Sequence, residues 1–393
     1  MNQKTSDPKL TEDFSVVLGG PLYQLYLRSR LLRPPEDLVE RRVLAFIVVT
    51  WLPLLVLTLA SGTMLSGPTV PFLYDLDVHI RFLLALPLLV SAEKIVHERV
   101  QITVRQFIDR GIIAPADRGR FDGIIASVMQ LRNSVAIEIA LVVSSITLGY
   151  WFWRGSVSLH AGSWFASGDQ HLTVAGWWYA FVSLNLFRFV LFRWYFRLIV
   201  WYVFLWRVSR LPLQLNVLHP DRAGGLGFVS SSVFAFTPLL VAHTVFFAGF
   251  IGNRIWHEGM TLPAFQMEIL TAVVLLMASV LLPVTFFAMK LAEAKRLGMR
   301  EYGLTAMQYV NGFRDKWMRG RRMKGESLIG SGDIQSLADL GNAYGVLQET
   351  RALLISRQTA TSLAITVALP YLPLTLTMIP FEDLIARVVG KLI

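Results

Sequence analysis

His219, Pro220, Asp221, Arg222, Ala223, Gly224, Gly225, Leu226 and Gly227 place an imidazole, a carboxylate, a guanidinium and three glycines in one short run. A His and an Asp two positions apart can act as an acid–base pair or as metal ligands, and glycines let backbone amides approach an anion. The same residues also suit a tight, capped turn that reverses the chain. Their spacing matches neither the dinucleotide fingerprint nor the phosphate-binding loop. No cofactor or metal is expected from them.

A second pattern lies near the C-terminus. Thr359, Ser362, Thr366, Pro370, Pro373 and Thr377 recur at steps of three or four. On an α-helix such steps fall within about 80° of one face. Small hydroxyls on a membrane helix can hydrate a passing solute, and they can equally fill a helix–helix contact or satisfy carbonyls freed by proline. Glu382 and Asp383 follow, where negative charge at the outer mouth of a path would concentrate cations. A third group is Arg188, Arg193 and Arg197 among aromatic residues. Their spacing rules out a voltage sensor with an arginine at every third position. Two readings stay open: snorkelling to the inner interface over Trp194, Tyr195 and Trp201, or pairing with Glu93 or Glu138. His243 stands alone in an apolar run and is read as hydrogen-bonded to a neighbouring helix.

The elements that must hold these residues are apolar. Of 393 residues, 54% are hydrophobic and 16% charged, against roughly 25% charged in an ordinary soluble domain. The chain therefore reads as an all-α polytopic membrane protein. At about 20 apolar residues per span, seven segments stand out, near 43–63, 80–97, 134–153, 174–206, 230–252, 266–290 and 359–380. No cysteine is present, which excludes disulfides, thiol catalysis and cysteine-ligated zinc.

Lysine and arginine orient the spans. Segments 1–42, 98–133, 207–229 and 290–358 hold 28 of them, whereas 64–79, 154–173 and 253–265 hold only Arg154 and Arg254. The positive-inside rule puts the first set, with the N-terminus, in the cytoplasm and the C-terminus outside. This distribution accounts for the net charge of +10 without a nucleic-acid partner. The expected organisation is a cytoplasmic arm at 1–42, a six-helix membrane region at 43–290 with a cytoplasmic hairpin at 98–133, cytoplasmic anchor helices at 291–358, and the last span with an outer tail at 359–393. The sixth span is expected to run on as a helix through roughly Trp317. An amphipathic helix then follows with Ile334, Leu337, Leu340, Tyr344 and Leu347 on one face.

This layout, with seven spans, an inside N-terminus, an outside C-terminus and long cytoplasmic helices before the last span, resembles the seven-transmembrane ion channel superfamily that includes insect odorant and gustatory receptors. The likeness is one of topology over the whole chain and is not carried by a short motif. It implies a homotetramer, an anchor domain before the seventh helix and a central pore lined by that helix. The expected function is thus an ion channel, not an enzyme, in a bacterial inner membrane, with the bilayer and further copies of the chain as partners. The alternatives are a transporter or membrane-embedded enzyme working at His219–Gly227, and a membrane scaffold.

Overall fold

The computed structural model describes residues 14–28, 38–156, 163–166, 171–321 and 326–378. Within them the chain is helical, and the only β-type pairings are isolated bridges such as Val70 with Ser163 and Ile113 with Leu213. The helices are α1 (Pro21–Arg28), α2 (Val39–Ala60), α3 (76–109), α4 (Arg118–Arg132), α5 (Val135–Ser156), α6 (Val174–Ser209), α7 (Gly227–Glu258), α8 (Leu262–Met318), α9 (Gly332–Glu349) and α10 (Arg357–Met378).

Five of these, α2, α6, α7, α8 and α10, are long and apolar enough to cross a membrane. The pair Pro115–Arg132 and Val135–Leu148, bent by 40°, makes a sixth if counted as one span. Six of the seven segments expected from the sequence fall on these helices, the third only through the bent pair, so five or six candidate spans stand where seven were expected. The second, 80–97, lies on α3, where apolar residues share the helix with Glu93 and Lys94. Large apolar side chains on α5, α8 and α10 point outward, among them Val143, Ile146, Met267, Val274, Leu275, Ile365, Leu372 and Leu376. Water would not tolerate so continuous an exposed apolar surface. The protein is an all-α polytopic membrane protein.

Prolines shape the spans locally. A proline inside a helix lacks the N–H that would bond four residues back. The backbone around these prolines leaves the α form. Residues Arg81–Ala85, just before Pro87, widen into a π turn. The turn Leu282–Phe287 around Pro283 tightens to 3-10 geometry, as does Leu369–Met378 around Pro370 and Pro373. Re-satisfying the freed carbonyls locally matters most where lipid supplies no donor.

α3, α6 and α7 form the centre. On the basic side, Phe107 of α3 packs against Phe121 of α4, Phe204 of α6, Phe228 of α7 and Phe287 of α8, with ring centroids 4.9–6.3 Å apart. Offset and edge-on aromatic contacts of this kind each add about 0.5–1.5 kcal/mol beyond area burial. One cluster therefore ties five helices together.

The loops sort cleanly onto two sides. Gln214 N donates to Ile112 O, Arg351 N to Arg222 O, and Thr350 Oγ1 to Val217 O. Arg132 reaches Ser15 O at 2.5 Å. Segments 14–20, 98–133, 207–229 and 290–358 thus share one side. On the other, Trp164 Nε1 donates to Asp75, Leu76 N to Asn253 Oδ1, and His257 Nε2 to Tyr74 O. These are the segments that carry few basic residues.

α8 continues without a break from the bilayer to Met318, as its uninterrupted pattern predicts. α9 then folds back along it. Leu347 is fully buried and lies against Gly298 of α8, and Leu337, Leu340 and Tyr344 are half-buried. Lys316 closes the hairpin with Glu326 and Asp333, and Lys295 Nζ donates to the carbonyls of Gln348 and Thr350 at the far end.

Candidate functional site

The densest polar site lies inside the bundle, on α3. Glu93, buried at 6% exposure, receives Arg42 of α2 at 2.6 Å, and Arg193 and Arg197 of α6 at 3.3 and 2.7 Å. Arg193 and Arg197 are one turn apart, so both face α3. Three guanidiniums share one carboxylate. Additional acceptors come from the chain before α1. Arg193 donates to Gly19 O and Arg197 to Val17 O, each at 3.4 Å. Phe14, Val16 and Val17 are buried there, with the Phe14 ring tilted against Phe204 at a centroid distance of 4.9 Å. Arg197 also lies over the Trp194 ring at 4.8 Å, while Trp194 Nε1 donates to Leu89 O.

The pairing of Arg193 and Arg197 with Glu93 is one of the two readings open from the sequence, whereas Arg188 donates to Asn185 Oδ1 at 3.4 Å. Arg42 and the carbonyls of 17–19 are not legible there, because they come from separate segments of the chain. The cavity beside the cluster, lined by Val17, Gly19, Glu138 and Arg193 among others, measures only about 20 Å³. That is room for about one water. The arrangement clamps helices together and leaves no space for a substrate.

A second polar group occupies the opposite side. Asp75 caps α3 through Val78 N at 3.4 Å and accepts Trp164 Nε1 at 2.8 Å. Its burial, and then the neighbouring Asp77, push its carboxyl up to about 6. Asp77 pairs with Arg81, which also donates to Tyr179 Oη and lies 4.9 Å from the Phe246 ring centroid. His243 is held as expected. Tyr195 Oη donates to its Nε2 at 2.8 Å, and its Nδ1 donates to Leu239 O at 2.7 Å. Both ring nitrogens are engaged.

The His219–Gly227 run forms a closed turn at the junction of α3, α8 and α9. Asp221 Oδ1 accepts the amides of Ala223 and Gly225 at 2.8 and 3.1 Å, and Oδ2 accepts that of Gly227 at 2.9 Å. His219 Nδ1 stands 3.0 Å from Oδ1. Partial burial alone would raise the Asp221 carboxyl. The amides of Gly227, Ala223 and Gly225, and then His219, outweigh it and hold the carboxyl below its usual range. Gly224 and Gly225 take φ of +65° and +92°, and Arg222 takes +54°, a region L side chains rarely adopt. Arg222 is fixed from outside by its ion pair with Glu349 at 2.8 Å and by Arg351 N on its carbonyl. The carboxylate that acid–base chemistry needs is thus spent on the backbone. Of the two readings of this run, the capped turn fits the geometry.

The hydroxyl and proline stripe on α10 turns away from the chain's own core. Leu363, Val367 and Tyr371 occupy the inward side. Ser362, Pro373 and Thr377 are exposed, and Thr359, Thr366 and Pro370 are half-buried. Thr366 Oγ1 donates to Ser362 O and Thr377 Oγ1 to Leu374 O. The stripe is straight only in its α-helical part. Beyond Leu369 the 3-10 geometry keeps Pro370 and Pro373 eclipsed but swings Thr377 about 120° from them. Glu382 and Asp383 lie outside the described residues. Among the described residues, no three His, Asp or Glu side chains gather as a metal ion would require.

Fold and site together define the class, a helical multi-pass membrane protein locked by buried ion pairs. No family model, curated protein or solved structure matches the chain.

Proposed function

We propose that the chain is one subunit of an oligomeric ion channel of the inner membrane, most simply a homotetramer, with its pore lined by α10. The observation that carries this reading is the outward placement of Ser362 and Pro373, with the half-buried Thr366 at the edge of their face, while Leu363 and Val367 anchor the same helix inward. A polar stripe on the outside of a membrane subunit has little to gain from lipid. Around an oligomer axis it would meet copies of itself and water. The geometry of the hydroxyls suits cations. Thr366 turns its proton to Ser362 O, which leaves oxygen lone pairs toward the path. α10 also belongs to the helices least covered by the rest of the chain, as a pore helix at a subunit boundary must be.

The chain contains no cysteine, so single cysteines at Ser362, Thr366 and Thr377 can be challenged with a water-soluble thiol reagent in liposomes. Leu363 and Val367 serve as inward controls. Labelling at Ser362 and Thr366 with protection of both controls, together with cation flux from the same liposomes, is the expected result. Equal protection at all five positions, or no flux, would overturn the channel.

A further inference from the structure

The basic end of α6 meets α4 across an open groove of about 500 Å³, lined by Arg120, Ile124, Ser127, Trp206, Arg207 and Arg210. That volume lies in the roughly 300–1,000 Å³ range of small-molecule sites. Arg120, Trp206, Arg207 and Arg210 are exposed, and Leu211 closes the floor as a buried side chain. Arg207 Nη1 is 2.5 Å from Ser127 Oγ, and the Arg210 guanidinium sits 5.4 Å from the Trp206 ring centroid. Arg120 keeps one local partner, Asp117, at 3.0 Å. No carboxylate lines the groove.

Three guanidiniums, a hydroxyl and an apolar floor at the end of a membrane helix are suited to one chemistry. Guanidiniums bind phosphate oxygens in paired hydrogen bonds, and an exposed tryptophan at a helix end marks headgroup depth. Basic pockets between membrane helices on the cytoplasmic side are lipid headgroup sites in general. We propose that this groove binds the phosphodiester headgroup of an anionic phospholipid, with Arg120, Arg207 and Arg210 on the phosphate and Ile124 and Trp206 against the first part of the acyl chains. The site requires only that the chain lie in a membrane, so it stands apart from the channel reading. A neighbouring groove lined by Arg99, Arg110, Gln106 and Asp221 already holds a carboxylate, which makes it the natural control.

The test is native mass spectrometry of the full chain released from detergent, titrated with phosphatidylglycerol, with phosphatidylcholine, and with inorganic phosphate. Wild type is expected to retain phosphatidylglycerol over phosphatidylcholine, less so at high ionic strength. Arg210→Gln removes an exposed side chain and should fold normally. It should weaken retention about fivefold, and Arg120→Gln/Arg207→Gln/Arg210→Gln should abolish the preference, at about 1 kcal/mol per arginine. Arg99→Gln/Arg110→Gln should leave it unchanged. Equal retention of both lipids, or an unchanged preference in Arg210→Gln, would overturn the site. Inorganic phosphate displacing the lipid at equal concentration would overturn its lipid identity in favour of a soluble anion.

Discussion

The Arg197 guanidinium lies 2.7 Å from Oε1 of Glu93, a residue 104 positions away in the chain and on another helix. Two more guanidiniums reach the same carboxylate. Charges this deep are held by one another and by the carbonyls of Val17 and Gly19, because lipid offers no counter-ion and only about one water fits beside them. Removing one partner of such a group therefore costs much more than the pair contributes.

Glu93→Gln keeps the shape of the side chain and leaves three guanidiniums facing each other. A loss of about 3–5 kcal/mol is expected, read as a fall in the thermal unfolding midpoint in detergent. Arg193→Gln removes the longest of the three contacts and should cost less than Glu93→Gln. If Arg193→Gln proves the more damaging of the two, the carboxylate is not the hub.

The two-sided sorting of loops predicts reporter outcomes. A reporter inserted at Gly330 should read as cytoplasmic, and one at Gly259 as external, since their segments belong to opposite loop clusters and the lysine and arginine bias sets the direction. Both reporters on one side would refute the arrangement.

Asp75 and Asp221 should respond to pH in opposite senses. The fold raises the Asp75 carboxyl to about 6 from 3.8 through burial and then Asp77, so between those values the folded state holds more proton than the unfolded state. Stability from this group should fall as pH rises from about 4 to 6. Asp75→Asn should remove that slope in unfolding midpoints measured across the window; a slope that persists unchanged assigns it elsewhere.

Asp221 is the reverse case, because its carboxyl is lowered despite burial by the Gly227, Ala223 and Gly225 amides. Its contribution is present above the ordinary carboxylate range and is lost as pH falls below it through the lowered value. Asp221→Asn exchanges an accepting oxygen for a donating amide NH2, and about 1–3 kcal/mol should be lost at neutral pH. The variant should also lack the acid component of unfolding. A neutral-pH midpoint equal to wild type would mean that the turn does not depend on this cap.

Leu347→Ala should open the α8–α9 hairpin. The side chain is fully buried beside Gly298, and its truncation should cost about 2–5 kcal/mol locally. Faster amide exchange over 332–349, with α3 and α6 unchanged, is the expected reading. Uniform exchange across the chain would instead make the hairpin part of one cooperative unit.

What the sequence determined by itself is one-dimensional. Apolar runs the length of a bilayer place the helices, because the thickness of hydrocarbon sets the length of a span, and lysine and arginine counts sort the loops into two sets. The uninterrupted run through α8 and the His243 hydrogen bond both follow from local residue type. The partners of the buried charges do not. On sequence Arg193 and Arg197 could snorkel or pair with Glu93 or Glu138, and only the packing of α3 against α6 brings Glu93 to them. Arg42 and the carbonyls of Val17 and Gly19 complete the cluster from segments that no periodicity connects to it. The His219–Gly227 run was ambiguous for the same reason. Its residue types fit both catalysis and a turn, and only the direction of three backbone amides shows the carboxylate to be occupied. The outward face of α10 was likewise undetermined, since a stripe repeats identically whether its helix points it at the core or at the bilayer. Periodicity fixes which residues share a face, and tertiary packing alone decides what that face meets.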